Sequence, residues 1–256
     1  MRRDTDLIKP KVSIITVTYN CVNTIENTLK NVINQDYFNK EIIVIDGLST
    51  DGTLNVINKY SDSIDILVSE KDDGIFDAMN KGIDKATGYW IVFMNSGDSF
   101  FSLSTLSEME PILRDKTCGV IYSPHVLQYN KKRRLIDDVP FFQQKGLYRR
   151  MGFSHQSCLV RRDLASKYKF LKTFKMSADF KMMWDIYREG AAAFTKYANP
   201  IAVMDDCEGE TVSNYKRHLI EECIICGFSD SILRSLFIEW KYVEYKIKRI
   251  IKRLLF

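Results

Sequence analysis

The chain is short of the features that would place it in several large classes. No apolar run is long enough to span a bilayer. The opening residues, MRRDTDLIKPK, have no apolar core and do not read as a secretory signal, so a reducing cytoplasmic setting is expected. A net charge of +4 on 256 residues is too small to argue for a nucleic-acid partner. No G-x-x-x-x-G-K-[ST] occurs, which excludes a P-loop as far as a motif can. The first apolar run ends in Thr18-Tyr19-Asn20-Cys21 where a dinucleotide fingerprint would need G-x-G-x-x-G. Internal repeats and low-complexity linkers are absent. Cysteines are few and scattered. Cys223-Ile-Ile-Cys226 has metal or redox spacing, but it lacks a second pair, and its apolar filling reads as buried helix.

What is present is an alternation. VSIITVTYN (Val12 to Asn20), EIIVIDG (Glu41 to Gly47), DILVSE (Asp65 to Glu70) and WIVFMN (Trp90 to Asn95) read as buried strands, rich in β-branched or apolar residues on both faces. Between them lie helical patterns: Ile25, Leu29, Val32 and Ile33; then Leu54, Val56 and Ile57; then Ile75, Phe76, Met79 and Ile83. Such alternation implies an α/β protein with a doubly wound, mostly parallel sheet. In these sheets ligands bind beyond the carboxyl ends of the strands. Four polar clusters fall there: Thr18-Tyr19-Asn20, Asp46-Gly47, Ser69 to Asp73, and Asn95 to Asp98. One or two could arise by chance; four on one rim indicate a site.

Beyond Phe101 the pattern loosens. A helix is expected over Leu106 to Leu113, and strands at GVIYSPHVLQY, RRLIDDVPF and SHQSCLVRR. MSADFKMMWDIYREG opens a helix near Ser177 to Asp179, and a short strand follows near Phe194 to Tyr197. The final segment, SILRSLFIEWKYVEYKIKRIIKRLLF, has an apolar helical stripe. Lys241, Lys246, Lys248, Arg249, Lys252 and Arg253 crowd its polar side. A basic amphipathic helix suits an anionic membrane surface; the plainer alternative is a terminal helix docked on the core.

Particular residues point to chemistry. Asp46 can accept hydrogen bonds from a base or ribose, or simply begin a tight turn. Asp98, behind Ser96-Gly97, has space for a divalent cation. Hard oxygen ligands suit Mg²⁺ or Mn²⁺, which share their shell with phosphate oxygens and water. Asp179 can be a helix N-cap, a general base, or both. His155-Gln156 follows Arg149-Arg150-Met151-Gly152; the imidazole can meet an acceptor or a diphosphate, and the arginines can neutralise phosphate.

Taken together, VSIITVTYN, EIIVIDGLSTDGT, SEKDDGIFDAMNKGIDKATGYWIVFMNSGDSF and the later SADF resemble the family 2 glycosyltransferases of GT-A fold. DGIFDAMNKGI and NSGD are similar to bacterial enzymes of capsule, O-antigen and colanic-acid assembly. The likeness is dense over residues 11 to 101 and thin afterward. It implies a Rossmann-like mostly parallel sheet flanked by helices, with a smaller mixed region. Residues 1–101 would bind the nucleotide sugar, 102–228 would supply acceptor site and base, and 229–256 would form the basic helix. By this resemblance Thr18, Tyr19 and Asn20 line the nucleotide pocket. Asp46 contacts the base with Asp51 in the same loop. Asp73, Asn80, Lys81 and Asn95 help hold the donor, Asp98 binds Mn²⁺ or Mg²⁺, and Asp179 is the catalytic base. The metal motif departs from many relatives by carrying a single carboxylate, between Asn95-Ser96-Gly97 and Ser99. The implied reaction is inverting transfer from a nucleotide-diphosphate sugar, UDP-linked by expectation. The acceptor would be a saccharide on a polyprenyl diphosphate, at the cytoplasmic face of the plasma membrane. No Q-x-x-R-W of processive synthases is present. The competing classes are a nucleotidyltransferase, which would need a Gly-rich loop after the first strand, and a silent membrane scaffold, which would need neither Asp98 nor Asp179.

Overall fold

The structure, a computed structural model, describes residues 9–129, 132–205, 214–228 and 231–255. The first hundred residues alternate as their patterns require: β1 (Val12–Thr18), α1 (Ile25–Ile33), β2 (Lys40–Asp46), α2 (Thr53–Asn58), β3 (Ile66–Ser69), α3 (Ile75–Lys85) and β4 (Trp90–Phe93). There follow β5 (Ser99–Phe100), α4 (Thr105–Glu108), α5 (Glu110–Leu113), β6 (Cys118–Tyr122), β7 (His125–Tyr129) and β8 (Lys132–Ile136). The remainder is β9 (Cys158–Arg161), α6 (Arg162–Tyr168), α7 (Ala178–Arg188), β10 (Ala193–Lys196), β11 (Ala202–Asp205), α8 (Tyr215–Ile225) and α9 (Ser231–Leu255).

The main sheet has the order β10-β6-β9-β4-β1-β2-β3. All neighbours are parallel except β9, which runs antiparallel between β4 and β6. Both faces are covered, so β1 is buried along its whole length. Ile15, Val17, Ile43 and Ile45 face α3, α6 and α7, while Ile14, Val44 and Val92 face α1 and the α4–α5 segment. α3 lies close on β1 because Gly82 has no side chain: a Cβ there would come within 2.4 Å of Ile15 Cγ2. A second sheet, β5-β11-β7-β8, lies beyond the β4 turn.

Three local readings change. The helix expected over Leu106 to Leu113 is two short helices, because Pro111 enters the first turn of α5 and cannot continue α4. GVIYSPHVLQY splits at Ser123-Pro124 into β6 and β7, which belong to different sheets. In SHQSCLVRR only Cys158 to Arg161 is strand; His155–Ser157 is a 3₁₀ turn capped by Ser154. That turn delivers His155 and Gln156 to the carboxyl end of β4.

Candidate active site

The rim is built by interlocking loops at the ends of β1, β2, β3 and β4. After β1, Asn20 adopts φ 51°, a left-handed conformation that Asn tolerates better than most residues. Its backbone N–H donates to Ser49 Oγ at 2.8 Å, and its Oδ1 accepts from Thr50 N at 2.9 Å. Asp51 completes the lock by accepting from Val22 N at 3.0 Å and Thr53 N at 2.9 Å. Those bonds, led by that from the Thr53 hydroxyl, hold its carboxyl below the ordinary range. Asn20 and Asp51 thus shape the loop while Tyr19 stands beside it, 60% exposed.

Asp46 has no solvent exposure. Its carboxylate accepts from Ser49 N at 3.1 Å, Ser49 Oγ at 2.5 Å and Ser69 Oγ at 2.6 Å. It joins the β2 loop to the end of β3 and is already satisfied within the fold. The carboxylate beside it is that of Asp72. A Cβ added at Gly47 would lie 2.4 Å from Asp72 Oδ2 and 3.3 Å from the Tyr19 ring. Glycine at 47 therefore keeps a gap between that ring and that carboxylate. Asp72 Oδ1 is held by Gly74 N at 2.9 Å, which orients the group.

Asn80 and Lys81 support the same region from behind. Asn80 exchanges two hydrogen bonds with the Phe170 backbone, at 2.8 and 2.9 Å. Lys81 donates to Lys71 O at 2.7 Å and pairs with Glu70 at 2.8 Å. Asp73 pairs with Lys172 at 3.3 Å on the surface.

The β4 turn explains its sequence. Gly97 has φ 102°, the left-handed region where glycine is favoured. Thr28 of α1 pins the turn on both sides, accepting from Gly97 N at 3.0 Å and donating to Asp98 O at 2.8 Å. Asp98 is thereby held in a mostly buried position, 9% exposed. Gln156 Nε2 donates to Asp98 Oδ2 at 3.2 Å. The adjacent residue, His155, places Nδ1 3.2 Å from Asp179 Oδ2. One short turn therefore spans from Asp98 to Asp179, 81 positions apart in the chain. Burial pushes the Asp179 carboxyl up, but His155, the Phe180 amide and the charge of His218 outweigh it and hold it below the ordinary range.

Among the described residues, the buried side-chain polar atoms without a hydrogen-bond partner are Thr16 Oγ1, Thr18 Oγ1, Asn95 Oδ1, His125 Nδ1 and His155 Nε2. Thr18, Asn95 and His155 all belong to the rim. Buried polar atoms are normally satisfied, so a concentration of orphans at one place marks where a ligand's polar groups belong. For a cation, the Asp98 carboxylate and the Asn95 carbonyl oxygen are the hard donors present. No group of three His, Cys, Asp or Glu is gathered to hold a metal among the described residues. The residues therefore fit a hard cation only if diphosphate and water complete its shell.

Arg149 and Arg150 are engaged elsewhere: Arg149 lies 5.8 Å from the centre of the Trp184 ring, and Arg150 pairs with Asp138 at 3.3 Å. Thr28 is an addition that sequence reasoning missed, and Asp72 belongs to the Ser69 to Asp73 cluster without a role of its own there. Thr28 was legible as a hydroxyl inside the buried stripe Ile25, Leu29, Val32 of α1. The place of Asp72 beside Gly47 and Tyr19 was not legible, because it depends on the approach of two loops.

With this geometry in view, residues 13–169 match the model of glycosyl transferase family 2. The chain belongs to that family. It is 28% identical over 159 residues to a PGL/p-HBAD biosynthesis glycosyltransferase of Mycobacterium bovis, and the match covers 60% of each chain. It is 30% identical over 122 residues to the putative teichuronic acid biosynthesis glycosyltransferase TuaG of Bacillus subtilis, covering 46% of this chain and 48% of that one. The chain thus spans about three-fifths and about half of those relatives' lengths. Among solved structures, S. aureus TarS 1-349 with UDP-GlcNAc superposes with a TM-score of 0.66 at 18% identity, covering 84% of this chain and 66% of that one. The mannosyltransferase PcManGT of Pyrobaculum calidifontis, in complex with GDP-Man and Mn²⁺, gives 0.66 at 20%, covering 88% and 66%. Those likenesses show the fold: this family 2 chain has the GT-A architecture that its motifs implied.

Proposed function

We propose that the protein transfers a sugar from a nucleotide-diphosphate donor to an acceptor hydroxyl, with inversion, in the assembly of a surface polysaccharide or glycoconjugate. The observation that carries this reading is the His155–Ser157 turn. It joins the carboxylate suited to a cation, Asp98, to a second carboxylate, Asp179, beside the orphaned oxygens of Thr18 and Asn95.

The nucleotide lies across the ends of β1, β2 and β3, with its base between Tyr19 and Asp72 over Gly47. Asp46 supports that contact by holding the loop. The diphosphate faces Thr18, Asn95 and Asp98. Mn²⁺ or Mg²⁺ held by Asp98 would neutralise charge on the departing diphosphate. UDP is the favoured donor nucleotide, in keeping with the TarS complexes among the structural neighbours. Asp179, ionised at neutral pH, takes the acceptor proton as the acceptor oxygen bonds to the anomeric carbon and the bond from that carbon to the diphosphate oxygen breaks. A single displacement inverts the centre. Proton transfer to a positioned base contributes roughly 10²–10⁴-fold. Asp179→Asn should therefore lose transfer by that factor while binding donor nearly as well as wild type, read by calorimetric titration of donor beside radiolabelled transfer. Wild-type turnover in this variant removes the base assignment.

The acceptor is a saccharide carried on a lipid, and α9 brings the enzyme to it. Ile232, Leu233, Leu236, Trp240, Val243 and Ile247 share one face of α9 and are each at least half exposed. Lys241 and Lys246 lie beside Trp240 and Tyr242. The side chains of Lys248, Arg249, Lys252 and Arg253 lie outside the described residues. No described helix is long and apolar enough to cross a membrane. An exposed apolar stripe edged by cations fits in-plane binding to an anionic leaflet. This stripe supports a peripheral position at the cytoplasmic face of the plasma membrane.

A further inference from the structure

The residues just before Asp179 are gripped by a carboxylate from another helix. Lys175 N donates to Glu221 Oε1 at 2.9 Å; Met176 N and Ser177 N donate to Glu221 Oε2 at 2.8 and 2.9 Å. Glu221 is 6% exposed, and Arg217, one turn earlier on α8, reaches it at 3.2 Å. His218, on the same turn of α8, places Nδ1 2.8 Å from Ser177 Oγ and Nε2 3.4 Å from Glu222 Oε1. Tyr148 OH in turn donates to Glu222 Oε2. Ser177 precedes α7 and makes no side-chain capping bond to it. Helix starts usually satisfy their exposed amides with a local side chain. Here the approach to α7 is fixed by Glu221 and His218 from 41 to 46 positions further along. Asp179 is the second residue of α7, so its carboxylate is aimed by whatever fixes Ser177.

We propose that Glu221 is a positioning residue for the transfer step: its clamp on the amides of residues 175–177 sets where the Asp179 carboxylate stands relative to His155 and the acceptor. The inference rests on Asp179 being the base. It also gives the C-terminal helices a role beyond anchoring. α8 is braced by α9 through Leu219, Cys223 and Ile238 and through Tyr215, whose ring centre lies 4.0 Å from that of Tyr245; Phe237 of α9 also packs on Tyr148, which bonds Glu222 of α8. The helix that carries the exposed apolar stripe thus supports the helix that aims the base.

Glu221→Gln is the direct test, because it keeps size and replaces one acceptor oxygen with an NH₂ facing N–H donors. A misplacement of about 1 Å in a reacting group can cost on the order of 10²-fold. We expect kcat to fall at least tenfold, with the Kd for UDP-sugar and the donor KM within twofold of wild type. A purely structural role would instead lower the melting temperature and leave kcat of the folded fraction unchanged. Wild-type kcat in Glu221→Gln, or equal losses of donor affinity and kcat, overturns the proposal. If that variant does not fold, Glu221→Asp decides: it keeps the charge but withdraws the carboxylate from the amides of residues 175–177 by one methylene, and kcat should fall about threefold to tenfold at unchanged donor Kd. Wild-type kcat there also overturns the proposal. Asp179→Asn is measured alongside. If it remains active while Glu221→Gln is impaired, Asp179 is not the base and the clamp acts on something else, which refutes the positioning role.

Discussion

Two aspartates one loop apart should fail in opposite ways. Asp46 is fully buried with three hydrogen bonds, whereas Asp72 is half-buried and held at Oδ1 by one. Asp46→Asn turns one carboxylate oxygen into a donor and strands one or two of Ser49 N, Ser49 Oγ and Ser69 Oγ. Hydrogen bonds to a charged group contribute about 1.5–3 kcal/mol each, and an unsatisfied buried donor costs a similar amount. The variant should therefore lose about 2–4 kcal/mol of stability. Asp72→Ala gives up one bond to Gly74 N that solvent weakens, and should lose only about 1 kcal/mol. If Asp72 accepts from the base, the same substitution removes a charge-assisted bond to ligand and weakens UDP binding roughly 10- to 100-fold. Urea unfolding and calorimetric titration of UDP separate the two effects. The reasoning fails if Asp72→Ala binds UDP as wild type does, or if Asp46→Asn keeps full stability while losing UDP.

The remaining predictions concern the far end of the sheet and the last helix. Burial pushes the Glu41 carboxyl up, but Lys11 at 2.5 Å, the hydroxyls of Ser13 and Thr87, and the Thr87 amide outweigh it and bring it down from 4.5 to about 2. A depressed carboxylate stabilises the fold fully above its unfolded value, so roughly 3 kcal/mol should be lost as pH falls from about 4.5 to about 2. Glu41→Gln should flatten that part of the stability–pH curve measured by urea unfolding, and an unchanged curve would discount the network. Leu236→Glu combined with Trp240→Glu places charges on the exposed face of α9 and should abolish sedimentation with anionic liposomes at unchanged melting temperature; undiminished binding would dismiss the anchor.

The parallel core was legible because its strands are apolar on both faces and its helices carry one stripe each. Periodicity reports burial, and burial dominates there. The positions of Asp98 and Asp179 were legible because each stands at the end of a clear element. The hydrogen-bond partners of Asp46, Asn80 and Lys81 were not, because residue type does not tell whether a polar group faces ligand or scaffold. Asn80 is occupied by Phe170, 90 positions away. His155-Gln156 reads as strand because Cys158 to Val160 beside it are apolar, whereas the turn there depends on the Ser154 side chain capping it. The clamp of Glu221 escaped for a related reason. Two adjacent glutamates in a helix suggest a solvated face, yet both are buried, and their partners lie in segments that only the fold brings near.

The most direct measurement is a crystal structure with UDP-sugar and Mn²⁺, collected at a wavelength where manganese scatters anomalously. The nucleotide should lie across the ends of β1, β2 and β3, with its diphosphate beside Asn95 and a manganese peak at the Asp98 carboxylate. Nucleotide bound away from that rim, or manganese bound to the diphosphate with Asp98 turned aside, would contradict the account.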